Sequence, residues 1–286
     1  MSVVMHTETW TASLELAFSR QGPERTALTH NIHSGPLLVQ KALYPEGPGI
    51  CHATILHPPS GIAGGDELTI AVNVHEAAHA VLSTPGATRW YKANGRKASQ
   101  HVVLNVESTA MLDWLPLENL LFEEAQATSN MEIRLAAGSR AIGWDCYQLG
   151  SVRTQDAWQA GTLGINTSLF YEGKRMWIEA GHIDARHSLR RSLVGLATFP
   201  VMATVWSVGP ALTPEQMAQL TDTLPWNDSL LAGASQMPLD AAQSLVLLRV
   251  LGKHAEPVRQ LMIECWQHLR PLQLGVPARP LRLWRT

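Results

Sequence analysis

Cysteine is scarce in this chain. Its three residues, Cys51, Cys146 and Cys265, are odd in number and widely spaced, which excludes a disulfide framework and a paired-cysteine metal clip. Long apolar runs are missing too: no stretch of about 18 apolar residues exists, so nothing reads as a membrane span. Neither charge dominates. Lys and Arg total 22 against 24 Asp and Glu, which leaves no basic excess to neutralise phosphates and removes a nucleic acid as partner. Residues Met1 to Trp10 show no basic segment ahead of an apolar one, so the cytoplasm is the expected compartment. What is present is a globular balance, 45% hydrophobic and 16% charged, with material for a sizeable core. Ten Trp stand against four Phe and four Tyr, and Trp serves both cores and interfaces. No clean boundary divides the chain, which reads as one domain over 1–286.

Residues 66–150 alternate with period two: Leu68, Ile70, Val72 and Val74, then Val102, Leu104 and Val106, the pattern of half-buried strands. A faint repeat runs through Val74 to Leu82, Val106 to Leu112 and Leu135 to Ile142, at a spacing of 32 and then 29 residues. It predicts stacked antiparallel hairpins in a sandwich or a coiled sheet. The fold class is mainly β, with two or three helices toward the C-terminus. Thr213, Pro214 and Gln216 form a helix start. From Pro257 a one-sided stripe of Val258, Leu261, Met262, Cys265, Trp266 and Leu269 ends before Pro271, which predicts an amphipathic helix. Gly150 to Gly164 reads as a mobile connection.

His75-Glu76-Ala77-Ala78-His79 fits H-E-x-x-H, which on a helix puts two imidazoles and a general base on one face, as in zinc hydrolases. Here it continues an alternating strand, where the two imidazoles would stand about 13 Å apart. His182, Asp184 and His187 lack a fourth ligand and read as a solvated loop. His52 and His57 read as half-buried strand histidines. Gly61, Gly64 and Gly65 are followed by no Gly-Lys-Ser/Thr, so no nucleotide is expected on this chain. Neither a nucleophile elbow nor a catalytic-thiol signature is present. Asp66, Asp113, Glu118, Glu123, Asp145 and Glu179 each adjoin an apolar or Gly-rich segment, where an ionised carboxylate is costly unless paired or hydrated. Together they could line a wet path that holds a divalent cation weakly.

At Tyr44-Pro45-Glu46-Gly47, at His57-Pro58-Pro59-Ser60-Gly61-Ile62-Ala63-Gly64-Gly65-Asp66, and at Ser83-Thr84-Pro85-Gly86-Ala87-Thr88-Arg89-Trp90-Tyr91, the chain resembles the urease accessory protein D family. Trp114-Leu115-Pro116-Leu117-Glu118, Gly143-Trp144-Asp145, Leu269-Arg270-Pro271 and Arg282-Leu283-Trp284 continue the match in order, over nearly the whole length. Leu117 stands where the family usually has Gln, and Ser60 where it usually has Gly. The resemblance implies a chaperone without turnover that docks on the urease apoenzyme together with urease accessory protein F and the GTPase accessory protein G. It also implies passage of nickel through the chain, by way of Asp66, Ser83, Thr84, Asp145 and Glu179. Nickel accepts nitrogen and oxygen ligands, and a row of carboxylates and hydroxyls gives shallow sites where thiolates would trap the ion. Two rival readings remain from the residues themselves: a zinc hydrolase at His75, Glu76 and His79, and a metal-free interaction module that uses its Trp and the tail residues Arg270, Arg279, Arg282 and Arg285.

Overall fold

The computed structural model describes residues 10–150 and 158–285. The chain opens on an antiparallel pair, β1 (Thr11–Gln21) and β2 (Arg25–Ser34), followed by the short β3 (Leu38–Val39), β4 (Cys51–Leu56) and β5 (Gly61–Ile62). It then winds in coils. β6 (Glu67–Val74), β7 (His79–Ser83) and β8 (Thr88–Trp90) form one turn, and β9 (Ala98–Val106), β10 (Met111–Leu115) and β11 (Asn119–Leu121) the next. A third follows in β12 (Gln126–Leu135) and the long β13 (Arg140–Leu149). β14 (Thr162–Tyr171) and β15 (Lys174–Asp184) close one sheet. β16 (Val201–Pro210), α1 (Pro214–Asp222), β17 (Leu230–Pro238), β18 (Gln243–Gly252) and α2 (Ala255–Leu269) complete the chain.

Two mixed sheets result. The first runs β15-β14-β12-β9-β6-β1-β2 and the second β17-β18-β16-β13-β10-β7-β4-β3, with β5, β8 and β11 alongside. The coil strands pair in parallel, β6 with β9, β9 with β12, and β7 with β10. Antiparallel pairing is confined to the flanks, such as β14 with β15 and β16 with β18. The protein is therefore mainly β but is a β-solenoid, not the antiparallel sandwich that alternation suggested. The cause lies in the corners. His75 to Ala78, Glu107 to Ala110 and Ala136 to Ser139 are each closed by an N–H···O bond back across the turn, of 3.0, 3.1 and 3.1 Å. Each passes the chain to the opposite sheet instead of reversing it within one. Ala77, Thr109 and Gly138 hold the same left-handed place in successive corners, with φ of 58°, 61° and 73°. Their spacing matches the sequence repeat, because Val74, Val106 and Leu135 occupy one stacked column.

One core fills the space between the sheets, with Leu14, Leu104, Ile133 and Trp206. A second lies between the outer face of the second sheet and α2, with Trp144, Cys146, Val205, Leu248 and Trp266. β18 is buried on both faces, which is why its Leu245 to Leu248 run shows no alternation. The predicted stripe of α2, Val258 through Leu269, is the buried face. α1 carries the predicted capping box, with Thr213 and Gln216 bonded reciprocally and proline at the first turn. Of the predicted mobile connection, residues 151–157 lie outside the described residues. Trp158 beyond them is buried, and Thr162 to Gly164 already belong to β14.

Candidate metal path between the sheets

The structure separates the five predicted path residues into two groups. Asp66 precedes β6 in a tight turn: its Oδ2 accepts the Ala63 N–H at 2.8 Å and its Oδ1 accepts the Trp10 N–H at 3.3 Å. The Gly-Gly-Asp motif has a steric basis as well, since a Cβ on Gly64 would lie 1.9 Å from the Ala93 carbonyl oxygen. Ser83 Oγ donates to the Leu115 carbonyl at 2.7 Å, which ties neighbouring coils together. Thr84 Oγ1 accepts the Leu117 N–H at 2.9 Å and lines a cleft of about 270 Å³ with His57, Ser60, Arg89 and Gln100. Burial lowers the His57 pKa, with Asp66 pulling the other way.

Asp145 on β13 and Glu179 on β15 come together across the gap between the sheets. They share a small cavity, about 10 Å³, with Tyr147, Thr167, Trp177 and Thr204, enough for one water-sized occupant. Asp145, Thr204 and Arg249 form a row across β13, β16 and β18. Glu179 faces that row: its Oε1 accepts Thr204 Oγ1 at 3.1 Å and its Oε2 pairs with Arg249 Nη2 at 3.2 Å. Burial pushes the Asp145 carboxyl up to about 8, and the Glu179 charge adds to the shift. Asp145 is thus largely protonated at neutral pH, while an arriving cation would favour its ionised form.

Polar groups that sequence reasoning missed lie between the two places. Gln100 and Ser129 are register partners on β9 and β12. Ser129 Oγ accepts the Tyr147 hydroxyl at 2.9 Å, and Tyr147 lines the Asp145 cavity. The signal was there: Ser129 takes an inward position between buried Ala127 and Met131. The other acids of the sequence group have structural partners. Glu118 pairs with Arg259 at 3.2 Å, and Glu123 accepts the Gln159 and Ala160 N–H groups at 3.0 and 2.7 Å.

Asp113 belongs to a buried ionic cluster. The Arg270 guanidinium forms a fork on Glu46 at 2.7 and 3.0 Å, and its Nε lies 3.0 Å from Asp113 Oδ1. Trp266 Nε1 donates to the same Oδ1 at 2.7 Å, His79 Nε2 bonds Asp113 Oδ2 at 2.8 Å, and His52 Nε2 bonds Glu46 at 2.9 Å. Burial alone would raise Glu46, but its bonds to His52 and Arg270 hold it at about 2. Asp113 is likewise held below the usual carboxylate range against its burial, by His79 and Arg270. The reading of Arg270 as a surface contact is corrected here, since it is fully buried. Of the other tail residues Arg279 and Arg282 are exposed, and the Arg285 side chain lies outside the described residues.

The H-E-x-x-H residues are a solenoid corner with no helix. His75 Nδ1 bonds Glu107 Oε1 at 2.9 Å, Glu107 Oε2 accepts the Glu76 N–H at 3.0 Å, and His79 is taken up by Asp113. Among the described residues no three His, Cys, Asp or Glu side chains are grouped to hold a metal ion. Glu76 is exposed, so Glu76→Gln should shift stability by less than about 0.5 kcal/mol. A thermal melt that loses more would show a structural role for its charge.

The sequence profile of the UreD urease accessory protein family matches residues 11–285. The chain is 51% identical over 277 residues to the urease accessory protein UreD of Bordetella pertussis, covering 97% of this chain and 98% of that protein. It is 50% identical to the UreD of Cupriavidus necator, covering 97% and 95%, and 46% identical to that of Ralstonia nicotianae, covering 97% and 94%. The chain belongs to the UreD urease accessory protein family. Among the described residues no helix is long and apolar enough to cross a membrane.

Proposed function

We propose that this protein is a non-catalytic, cytoplasmic urease maturation factor that docks on apo-urease with accessory proteins F and G and passes nickel toward the urease active site. The observation that carries the nickel reading is the meeting of Asp145 and Glu179 across a cavity with room for one small occupant. Two carboxylates and a threonine hydroxyl are oxygen ligands that hold a nickel ion without trapping it. The polar groups Thr84, Gln100, Ser129 and Tyr147 supply hydroxyl and amide oxygens between the cleft and the cavity. Nickel is cargo in this reading, and the chain binds no nucleotide of its own. Nothing favours the zinc-hydrolase alternative, whose histidines are engaged by Glu107 and Asp113. Co-expression with the urease subunits and accessory protein F, followed by affinity capture of this chain, tests the scaffold. Both partners should be recovered with it, and recovery of neither overturns the reading.

A further inference from the structure

Between β15 and β16 the chain projects a compact apolar knob. Leu193 and Val194 are 91% and 89% exposed at its tip, and Leu189 is 52% exposed on its flank. Two adjacent aliphatic side chains this bare are unusual on a protein surface unless something covers them. The projection is built as a fixed shape. Leu196, Ala197 and Thr198 N–H groups bond back to the carbonyls of Leu189, Ser192 and Arg190 at 3.1, 3.0 and 2.8 Å. Ala197 and Thr198 both hold left-handed backbone, with φ of 46° and 71°. Gly195 presses so close that a Cβ there would lie 1.9 Å from the Leu189 carbonyl oxygen. Phe199 is buried at the root, and Arg190 locks the base by donating to the Trp158 carbonyl at 2.8 Å with its guanidinium 5.3 Å from the Trp158 ring centre.

The knob itself carries charge of one sign; at its base Asp184 accepts the Arg186 N–H at 2.8 Å and Glu123, which accepts the Gln159 and Ala160 N–H groups, acts on Arg190 through space. No acidic residue occurs between Asp184 and Glu215, while Arg186 and Arg191 are exposed and have no carboxylate partner among the described residues. We infer that the Leu189–Leu193–Val194 knob is a docking element for a protein partner that offers an apolar pocket rimmed by aspartate or glutamate. An anchor in a pocket with a charged rim is the usual economy of a specific interface: the apolar side chains hold, and the rim charges steer and fix register. A lipid surface fits less well, because stable membrane attachment takes a long apolar helix face or paired lipid anchors. The strands on either side of the knob carry Glu179, Met202 and Thr204, so a docked partner would sit on the elements that wall the Asp145 cavity. That last placement rests on the nickel reading; the docking element does not.

The test places p-benzoylphenylalanine at Leu193 in the full chain, in cells that express the urease genes, with Gln219 on the exposed side of α1 as control position. The expected result is a protein cross-link from position 193, mapped to an apolar segment bearing Asp or Glu. The pair R186E and R191E should lower its yield about tenfold, R186K and R191K should keep it, and reversing the mapped acids to arginine should restore it in the Glu pair. Yield no greater than from position 219, a cross-link to lipid, or indifference to charge reversal overturns the proposal. A charge-dependent cross-link to a protein other than urease or its accessory proteins would uphold the docking element and count against the maturation reading instead.

Discussion

Arg270→Ala should destabilise the protein by about 3–5 kcal/mol, the usual consequence of removing one partner from a buried ion pair. The guanidinium is fully buried and serves Glu46, Asp113 and the Pro277 carbonyl. Without it two carboxylates stay in the interior, Glu46 against His52 and Asp113 against His79, with their shared guanidinium gone. The pH dependence gives a second signature. Glu46 is held at about 2 in the folded state, below its unfolded value near 4.3. Its contribution is therefore complete above about pH 4.3 and is lost as pH falls toward 2. The variant lacks most of this depression, so its deficit should be largest near neutrality and shrink on acidification. Adding Glu46→Gln and Asp113→Asn to Arg270→Met should recover much of the loss, because no charge is then left unpaired. Chemical denaturation at pH 7 and pH 3 decides it. A single variant within about 1 kcal/mol of the parent at pH 7 would mean that the cluster is solvated or dispensable.

The double variant Asp145→Ala, Glu179→Ala should leave urease nearly as nickel-poor as a strain that lacks this protein, while the complex with urease still assembles. Glu179 ties β15 to β16 and β18 through Thr204 and Arg249, so melting and assembly are measured beside nickel loading. Asp145 titrates at about 8 in the folded chain, above its unfolded value near 3.9, so the stability it brings is complete below about pH 3.9 and is lost as pH rises through 8. At pH 8 and above the double variant should melt no lower than the parent on account of Asp145. Glu179 leaves behind an Arg249 side chain that is mostly exposed and readily hydrated. Asp66→Ala is a poorer test, because Asp66 holds the Ala63 and Trp10 N–H groups and its loss would loosen the turn itself. Metal analysis of purified urease is the measurement. Fully nickel-loaded urease from a double variant that assembles normally would end the passage reading.

Strands, capping box and the α2 stripe were legible because each depends on local chemistry: alternation for a half-buried strand, 3.6 periodicity for a one-sided helix, Thr-Pro-x-Gln at a helix start. Parallel pairing was not, because period two is the same in either direction. The four residues of a corner such as His75 to Ala78 look like a hairpin loop. The 32- and 29-residue spacing held the information, since a coil must return to its own column and a hairpin returns at once. Glu46, His79, Asp113 and Arg270 were unreadable as a cluster because they are brought together by coil stacking and by the return of α2. Asp145 and Glu179 stood out as acids beside apolar segments and again through the family resemblance; no local pattern places β13 opposite β15. Ser129 was within reach of pattern reading, as a hydroxyl at an inward position.

The order in which the ionic cluster is completed bears on how the chain matures on the ribosome. The coils can close as they emerge, each against the one before it, in the N-terminal-first manner of nascent domains. His79 and Asp113 lie on the face of the second sheet that α2 will cover, so while Arg270 is still unsynthesised that face stays bare and they stay open to water. The nascent solenoid therefore carries Glu46 and Asp113 without their Arg270 countercharge, and an open apolar sheet, until α2 swings back. That interval is when it is most vulnerable to aggregation, and arrival of α2 neutralises the interior charge and covers the sheet in a single docking event.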